Sequence, residues 1–226
     1  AGFVALIGEP NAGKSTLLNK MVGAKVSIVT HKVQTTRARI RGVAIEGESQ
    51  IVFVDTPGLF RPRRRLDRAM VAAAWSGAAD ADVVVLLIEG HGVDDLRAWL
   101  AGAVPQGPWL YPEDQIADLP MRMIAAEITR EKLLLRLHQE LPYQLTVETE
   151  GWEERKDGSV KIDQIVYVMR DGHKGILLGR KGETIKAVGR AAREELEGFL
   201  GHKVHLFLQV KVRPGWLDEA ERYSEM

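Results

Sequence analysis

The sequence predicts two domains, an α/β layer structure on a parallel-dominated sheet and a smaller α+β unit on a sheet of its own. Three observations carry this. The segment Gly8-Glu9-Pro10-Asn11-Ala12-Gly13-Lys14-Ser15 joins an apolar strand-like run to a helix-like run. A proline-rich break, with Pro105, Pro108 and Pro112, interrupts the chain near its middle. Beyond the break, Gly179-Arg180-Lys181-Gly182 is framed by helix, strand, strand, helix and strand patterns.

In the first part, Phe3–Ile7 reads as a buried strand and Thr16–Met21 as a helix. The loop between them has the spacing G-x-x-x-x-G-K-[ST], which wraps a phosphate with backbone N–H groups at a helix N-terminus. Gly8, Asn11, Ala12, Gly13, Lys14, Ser15 and Thr16 are therefore the nucleotide-binding candidates. Lys14 is expected to reach the β- and γ-phosphates and the Ser15 hydroxyl to ligate Mg²⁺.

Ile40–Ile45 alternates and reads as an edge strand, turning through Glu46-Gly47-Glu48 into a second buried strand, Ile51–Val54. That strand ends in Asp55-Thr56-Pro57-Gly58. A carboxylate at a strand end beside a phosphate loop holds Mg²⁺ through water, and Gly58 can offer its N–H to a γ-phosphate. Between these elements, a threonine of Val33-Gln34-Thr35-Thr36-Arg37 could close on the same metal. Arg65–Gly77 and Val93–Ala101 read as helices, and Val83–Ile88 as a third buried parallel strand.

The first domain is taken as 1–103 and the proline-rich linker as 104–117. A second domain follows at 118–213, with a tail at 214–226. It opens on a long helix with Asp118 as N-cap, Pro120 in the first turn and Pro142 as the stop. Gln144–Glu150 and Val160–Arg170 form an antiparallel pair around Lys156–Ser159. A helix over 183–200 and a strand over 204–212 complete it. Gly-Arg-Lys-Gly ahead of that helix has the form of the GXXG loop of a type II KH domain, which clamps the backbone of single-stranded RNA. Lys174, Gly175, Gly179, Arg180, Lys181, Gly182 and Lys186 are the RNA-binding candidates. Over 174–190 the cations face only Glu183.

Lysine plus arginine and aspartate plus glutamate both number 31, so a nucleic-acid surface has to be local rather than global. Cysteine is absent, which excludes disulfides and thiolate metal sites and fits a reducing compartment. His202 and His205 lie near one strand but do not make a metal site. Trp109, Tyr111, Trp152 and Trp216 read as packing residues. Val83–Ile88 is too short to span a bilayer, and a soluble cytoplasmic protein is expected.

The loop GEPNAGKST, the QTTR stretch and DTPG resemble the translation-factor class of small GTPases. The stretch PWLYPEDQIADLPMRMIAAEITREK narrows the resemblance to the Era family, over nearly the whole chain. The resemblance implies a GTP- and GDP-binding switch with Mg²⁺, Lys14, Thr36 and Gly58 serving catalysis. Ser15, Thr36 and, through water, Asp55 become the Mg²⁺ residues. It also implies the 3′ region of small-subunit ribosomal RNA as ligand, the 30S subunit as partner, and a role in its assembly. A cytoplasmic monomer, with peripheral association at the cytoplasmic face of the inner membrane as a further option, completes that expectation.

Two departures stand against the family pattern. Leu59 follows Asp-Thr-Pro-Gly where Ras-like enzymes orient water with glutamine, so hydrolysis should be slow without help. In similar GTPases a phosphate-loop asparagine helps to bind K⁺, and Asn11 occupies the matching position. The guanine-reading Asn-Lys-x-Asp occurs nowhere in the chain. In the family a stretch of the Gly92-Val93-Asp94-Asp95-Leu96 type follows the base-binding elements, so the resemblance implies a gap of roughly fifty residues at Gly90/His91, and parallel strands also need crossovers of about a dozen residues or more. Arg61-Pro62-Arg63-Arg64-Arg65 reads as a solvated basic segment. The alternatives are an RNA-binding module whose nucleotide domain scarcely hydrolyses, and a P-loop ATPase or kinase.

Overall fold

The computed structural model describes residues 1–32, 35–37, 39–60, 65–88, 93–138 and 141–215. They divide into two compact units, 1–119 and 120–215. The expectations at Val33, Gln34, Arg61–Arg64, the Gly90/His91 junction and Trp216 lie outside the described residues.

The first unit runs β1 (Gly2–Gly8), α1 (Lys14–Val22), β2 (Ile40–Glu46), β3 (Ser49–Asp55), α2 (Arg65–Ala79), β4 (Val83–Leu87) and α3 (Val93–Ala103). The sheet order is β2-β3-β1-β4. β1 pairs in parallel with β3 and β4, and the β2–β3 hairpin is antiparallel. β1 and β3 are buried along almost their whole length because helices cover the sheet, which is why they read as continuous apolar runs. Leu6, Leu18, Met21, Ile51, Phe53 and Leu100 lie at the centre of that core.

β4 corrects the expectation of a third fully buried strand. It pairs only with β1 and forms the sheet edge, so its residues alternate between half-buried and exposed. Val84, Leu86 and Ile88 face outward.

The proline-rich stretch packs along the first unit. Gln50 Oε1 accepts from the Leu110 and Tyr111 amides, and its Nε2 donates to the Tyr111 carbonyl. Residues 116–118 then cover the edge of β2, with the Val43 amide donating to Ile116 O and the Asp118 amide to Arg41 O. Asp118 is therefore not a helix cap: its carboxylate accepts from Arg41 and from the Tyr111 hydroxyl.

The second unit runs α4 (Met121–Arg136), β5 (Leu145–Glu154), β6 (Val160–Val168), α5 (Asp171–Leu178), α6 (Glu183–Leu200) and β7 (Val204–Val212). Pro120 is the N-cap of α4. The helix ends at Arg136, before Pro142, because Leu137 turns extended and docks its buried side chain into the core. Pro142 sits instead in a short 3-10 turn, Leu141–Gln144. The sheet order is β5-β6-β7, antiparallel then parallel, with a bulge between Thr149 and Gly151. Leu133, Leu145, Val166, Val168, Leu177 and Val188 join the helices to one face of this sheet.

Candidate functional site

The phosphate loop follows β1 because its backbone takes conformations that few side chains allow. Gly8 has φ 152°, and a Cβ there would lie 2.5 Å from the Leu87 carbonyl oxygen. Gly13 caps α1 in the left-handed region at φ 91°. Asn11 is left-handed as well, at φ 65°, a conformation asparagine tolerates better than most residues. Lys14 is buried and its Nζ donates to the carbonyls of Gly8 and Glu9 at 3.2 and 2.9 Å. Burial lowers the Lys14 pKa, while the Asp55 charge raises it.

Three separate segments meet at Asp55. Ser15 Oγ donates to Asp55 Oδ2 at 2.6 Å, Ser27 Oγ at 2.9 Å and Thr36 Oγ1 at 3.4 Å. Ser15 Oγ and Thr36 Oγ1 are 3.0 Å apart. Asp55 is fully buried, and burial raises its pKa more than the three hydroxyls and Lys14 lower it. Its other oxygen, Oδ1, is buried without a hydrogen-bond partner. The Ser15 and Thr36 hydroxyls with this buried, half-satisfied carboxylate make an all-oxygen cluster that fits Mg²⁺, a hard cation that takes its remaining ligands from water and phosphate. Among the described residues no cluster of three or more His, Cys, Asp or Glu offers another metal centre.

An open cavity of about 210 Å³ lies over the loop. Asn11, Gly13, Lys14, Ser15, Thr16, Thr36 and Gly58 line it, so most of the expected nucleotide residues converge. Gly8 and Ala12 shape the loop from behind; the Ala12 amide donates to Glu9 O at 3.3 Å. The fold itself requires glycine at 58: a Cβ there would sit 2.7 Å from the Pro10 nitrogen. The Leu59 amide, donating to Gly8 O at 2.9 Å, holds the same segment against the loop.

Sequence reasoning missed the other wall of the cavity, which Ile28–Lys32 supply. Asn19 anchors its start: Oδ1 accepts from the Val26 and Ser27 amides, and Nδ2 donates to the Ser27 carbonyl. Asn11 Nδ2 donates to the His31 carbonyl at 3.0 Å, tying this wall to the phosphate loop. The residue types carry no pattern of their own, so only the fold brings Ser27 to Asp55.

In the second unit, the GXXG loop is a tight link between α5 and α6. Gly179 has φ 71°, ψ 178°, and a Cβ there would lie 2.3 Å from Thr184 Oγ1. Lys181 is left-handed at φ 52°. Gly182, at φ 79°, caps α6, and its amide donates to Gly179 O at 3.2 Å. This winding directs Arg180, Lys181 and Lys186 into solvent. Lys174 and Gly175 stand on α5, and the Gly175 carbonyl accepts from Gly179 N. A backbone with glycines at these points and exposed cations around it can clamp phosphates. Beneath it His173 is buried; its Nε2 accepts from Arg170 Nε at 2.8 Å. Burial, then the Arg170 charge, lowers the His173 pKa.

Known proteins match this arrangement. The family model described as "50S ribosome-binding GTPase" matches residues 3–109, and the KH domain model matches residues 140–217. "GTPase Era" of Dinoroseobacter shibae is 66% identical over 290 aligned positions, spanning 100% of this chain and 94% of that protein. "GTPase Era" of Brucella suis is 53% identical over 287 positions, spanning 100% and 92%. A tyrosine-to-alanine variant of Aquifex aeolicus Era, crystallised with GDP·AlF4⁻, superposes with a TM-score of 0.92 at 32% identity, covering 99% of this chain and 97% of that one. A second crystal structure, Era with MgGDPNP and nucleotides 1506–1542 of 16S ribosomal RNA, matches with a TM-score of 0.92 at 31% identity, covering 99% and 97%. The chain belongs to the Era family of GTPases.

Proposed function

We propose that this chain is a GTP-hydrolysing switch that binds the 3′ region of small-subunit ribosomal RNA through residues 174–186 and acts in 30S assembly. The meeting of Ser15, Thr36 and Asp55 carries the nucleotide half. When bound there, Mg²⁺ supplies positive charge to the phosphate oxygens. Lys14 and the backbone N–H groups of 11–16 hold the β- and γ-phosphates, and Gly58 offers its N–H beside them. Thr36 responds to the γ-phosphate, and its segment orders or loosens with nucleotide state. Leu59 is aliphatic and cannot hydrogen-bond an attacking water, so hydrolysis is slow unless K⁺ at Asn11, the backbone or a partner positions that water.

The guanine-reading residues belong between Gly90 and His91, in a segment this chain lacks. The open edge of β4 supports this, with Val84, Leu86 and Ile88 exposed. So does an alignment of 290 positions with a relative against a chain of 226 residues. The domain limits 1–103, 104–117 and 118–213 follow the same reading. No helix among the described residues is long and apolar enough to cross a membrane; a cytoplasmic monomer with peripheral membrane contact is the corresponding proposal.

GTP turnover measured with ATP as competitor tests the nucleotide half, and RNA binding by Gly182→Asp tests the RNA half. Turnover resistant to ATP and loss of RNA by the variant are expected. Turnover abolished by equimolar ATP, or RNA binding untouched, contradicts the respective half.

A further inference from the structure

Side chains on β6 and β7 alternate between two faces. Ile162, Val166 and Val168 are buried against the helices, with their register partners Leu206, Val210 and Val212 on the same side. The opposite face of β6 carries Lys161, Asp163, Ile165 and Tyr167, of which Ile165 is buried. On β7 it carries His205, Phe207, Gln209 and Lys211, with Arg213 just beyond.

Phe207 is 51% exposed. Lys161 Nζ lies 5.7 Å from the Phe207 ring centroid, and the Arg213 guanidinium carbon 5.5 Å from that of Tyr167. Two aromatic rings, each beside a cation, thus share one open sheet face. Of the carboxylates on that face, Asp163 is paired to Lys161 at 2.8 Å. Glu148 and Glu153 lie on β5, and Glu150 is 3.5 Å from the Tyr167 hydroxyl. The face is therefore acidic along β5, with the ring and cation pairs spanning β6 and β7.

We propose that the β7 side of this face is a second contact surface for single-stranded RNA, receiving bases beyond those held at the GXXG loop. The proposal rests on the reading of residues 179–182 as an RNA clamp. Exposed rings with neighbouring cations are the chemistry that stacks unpaired bases and tracks their phosphates. A KH loop engages about four nucleotides, whereas the related Era complex was crystallised with a far longer fragment, nucleotides 1506–1542. Gly189 of α6 packs against Leu208 on the helix-covered face and lies about 10 Å along the helix from Gly182, whereas Phe207, the preceding residue, points to the opposite face. Because β7 is the sheet edge, RNA leaving the clamp reaches the second surface by passing round that strand. The acidic β5 side confines the RNA to β7.

The test is fluorescence anisotropy of the full chain with single-stranded RNA from the 3′ end of small-subunit rRNA, in lengths of about 6 and about 20 nucleotides. Phe207→Ala should weaken the longer RNA about tenfold and leave the shorter unchanged, with Phe207→Tyr restoring it. Lys211→Ala should lower the salt dependence of longer-RNA binding by about one unit of slope. Both Phe207→Ala and Lys211→Ala binding the longer RNA as wild type does would overturn the proposal. Gly182→Asp binding the shorter RNA normally would instead overturn the clamp reading.

Discussion

Ser15 Oγ donates a 2.6 Å hydrogen bond to Asp55 Oδ2, joining the first turn of α1 to the last residue of β3. With Ser27 and Thr36 on the same oxygen, the bond leaves Oδ1 unsatisfied in a buried site. Removing the charge should cost Mg²⁺-dependent GTP binding roughly 3 kcal/mol, about a hundredfold. Isothermal titration of Asp55→Asn with and without Mg²⁺ measures this; wild-type affinity in Mg²⁺ would refute the assignment.

The same residue predicts a pH dependence of the metal-free protein. Burial raises the Asp55 pKa above its ordinary 3.8. Between 3.8 and the folded value, the native state holds a proton that the unfolded chain has released. The contribution of Asp55 to stability therefore falls as pH rises through that window. Asp55→Asn should flatten that part of the Tm profile in EDTA.

His173 predicts the opposite slope. Its pKa is lowered from 6.5, so below pH 6.5 the unfolded chain takes up the proton first. Stability of the second unit is lost as pH falls from 6.5 through the folded value. His173→Gln should remove that acid-side loss in thermal melts, and an unchanged profile would count against the buried contact with Arg170.

Gly58→Ala places a Cβ against the Pro10 backbone, which cannot yield as a flexible side chain does. Overpacking of this kind costs about 1–3 kcal/mol. GTP affinity should fall together with Tm, while RNA binding stays at the wild-type level.

The two GXXG glycines should behave differently. A Cβ at Gly182 meets nothing closer than Lys186 Cε at 3.7 Å, whereas one at Gly179 strikes Thr184. Gly182→Asp costs about 1–2 kcal/mol for its left-handed φ of 79°, and is expected to keep its fold by circular dichroism and lose RNA through charge repulsion. Gly179→Ala should lose stability as well.

Much of this is legible in the sequence for a physical reason. Phosphate loops and GXXG loops are local, and their glycines mark backbone conformations that the chain itself demands, as Gly13 and Gly182 do. The strands Phe3–Ile7 and Ile51–Val54 are readable because both faces are buried. β4 carries the same aliphatic composition but lies at an edge, and composition does not distinguish the two. Asp118 resembles a cap because it precedes a helix; the folded first unit engages it with Arg41 and Tyr111 instead. Ser27 and Asn19 carry no signal because their roles arise only when the segment after α1 folds back over Asp55.

A GTPase site built on the Gly8–Ser15 loop and Asp55 should turn over GTP and lose that turnover with Lys14. Multiple-turnover GTP hydrolysis in Mg²⁺, comparing wild type with Lys14→Ala in K⁺ and in Na⁺, tests it most directly. Slow wild-type turnover that rises in K⁺, and loss of at least about a hundredfold in the variant, is the predicted result. Equal turnover by wild type and Lys14→Ala would contradict it.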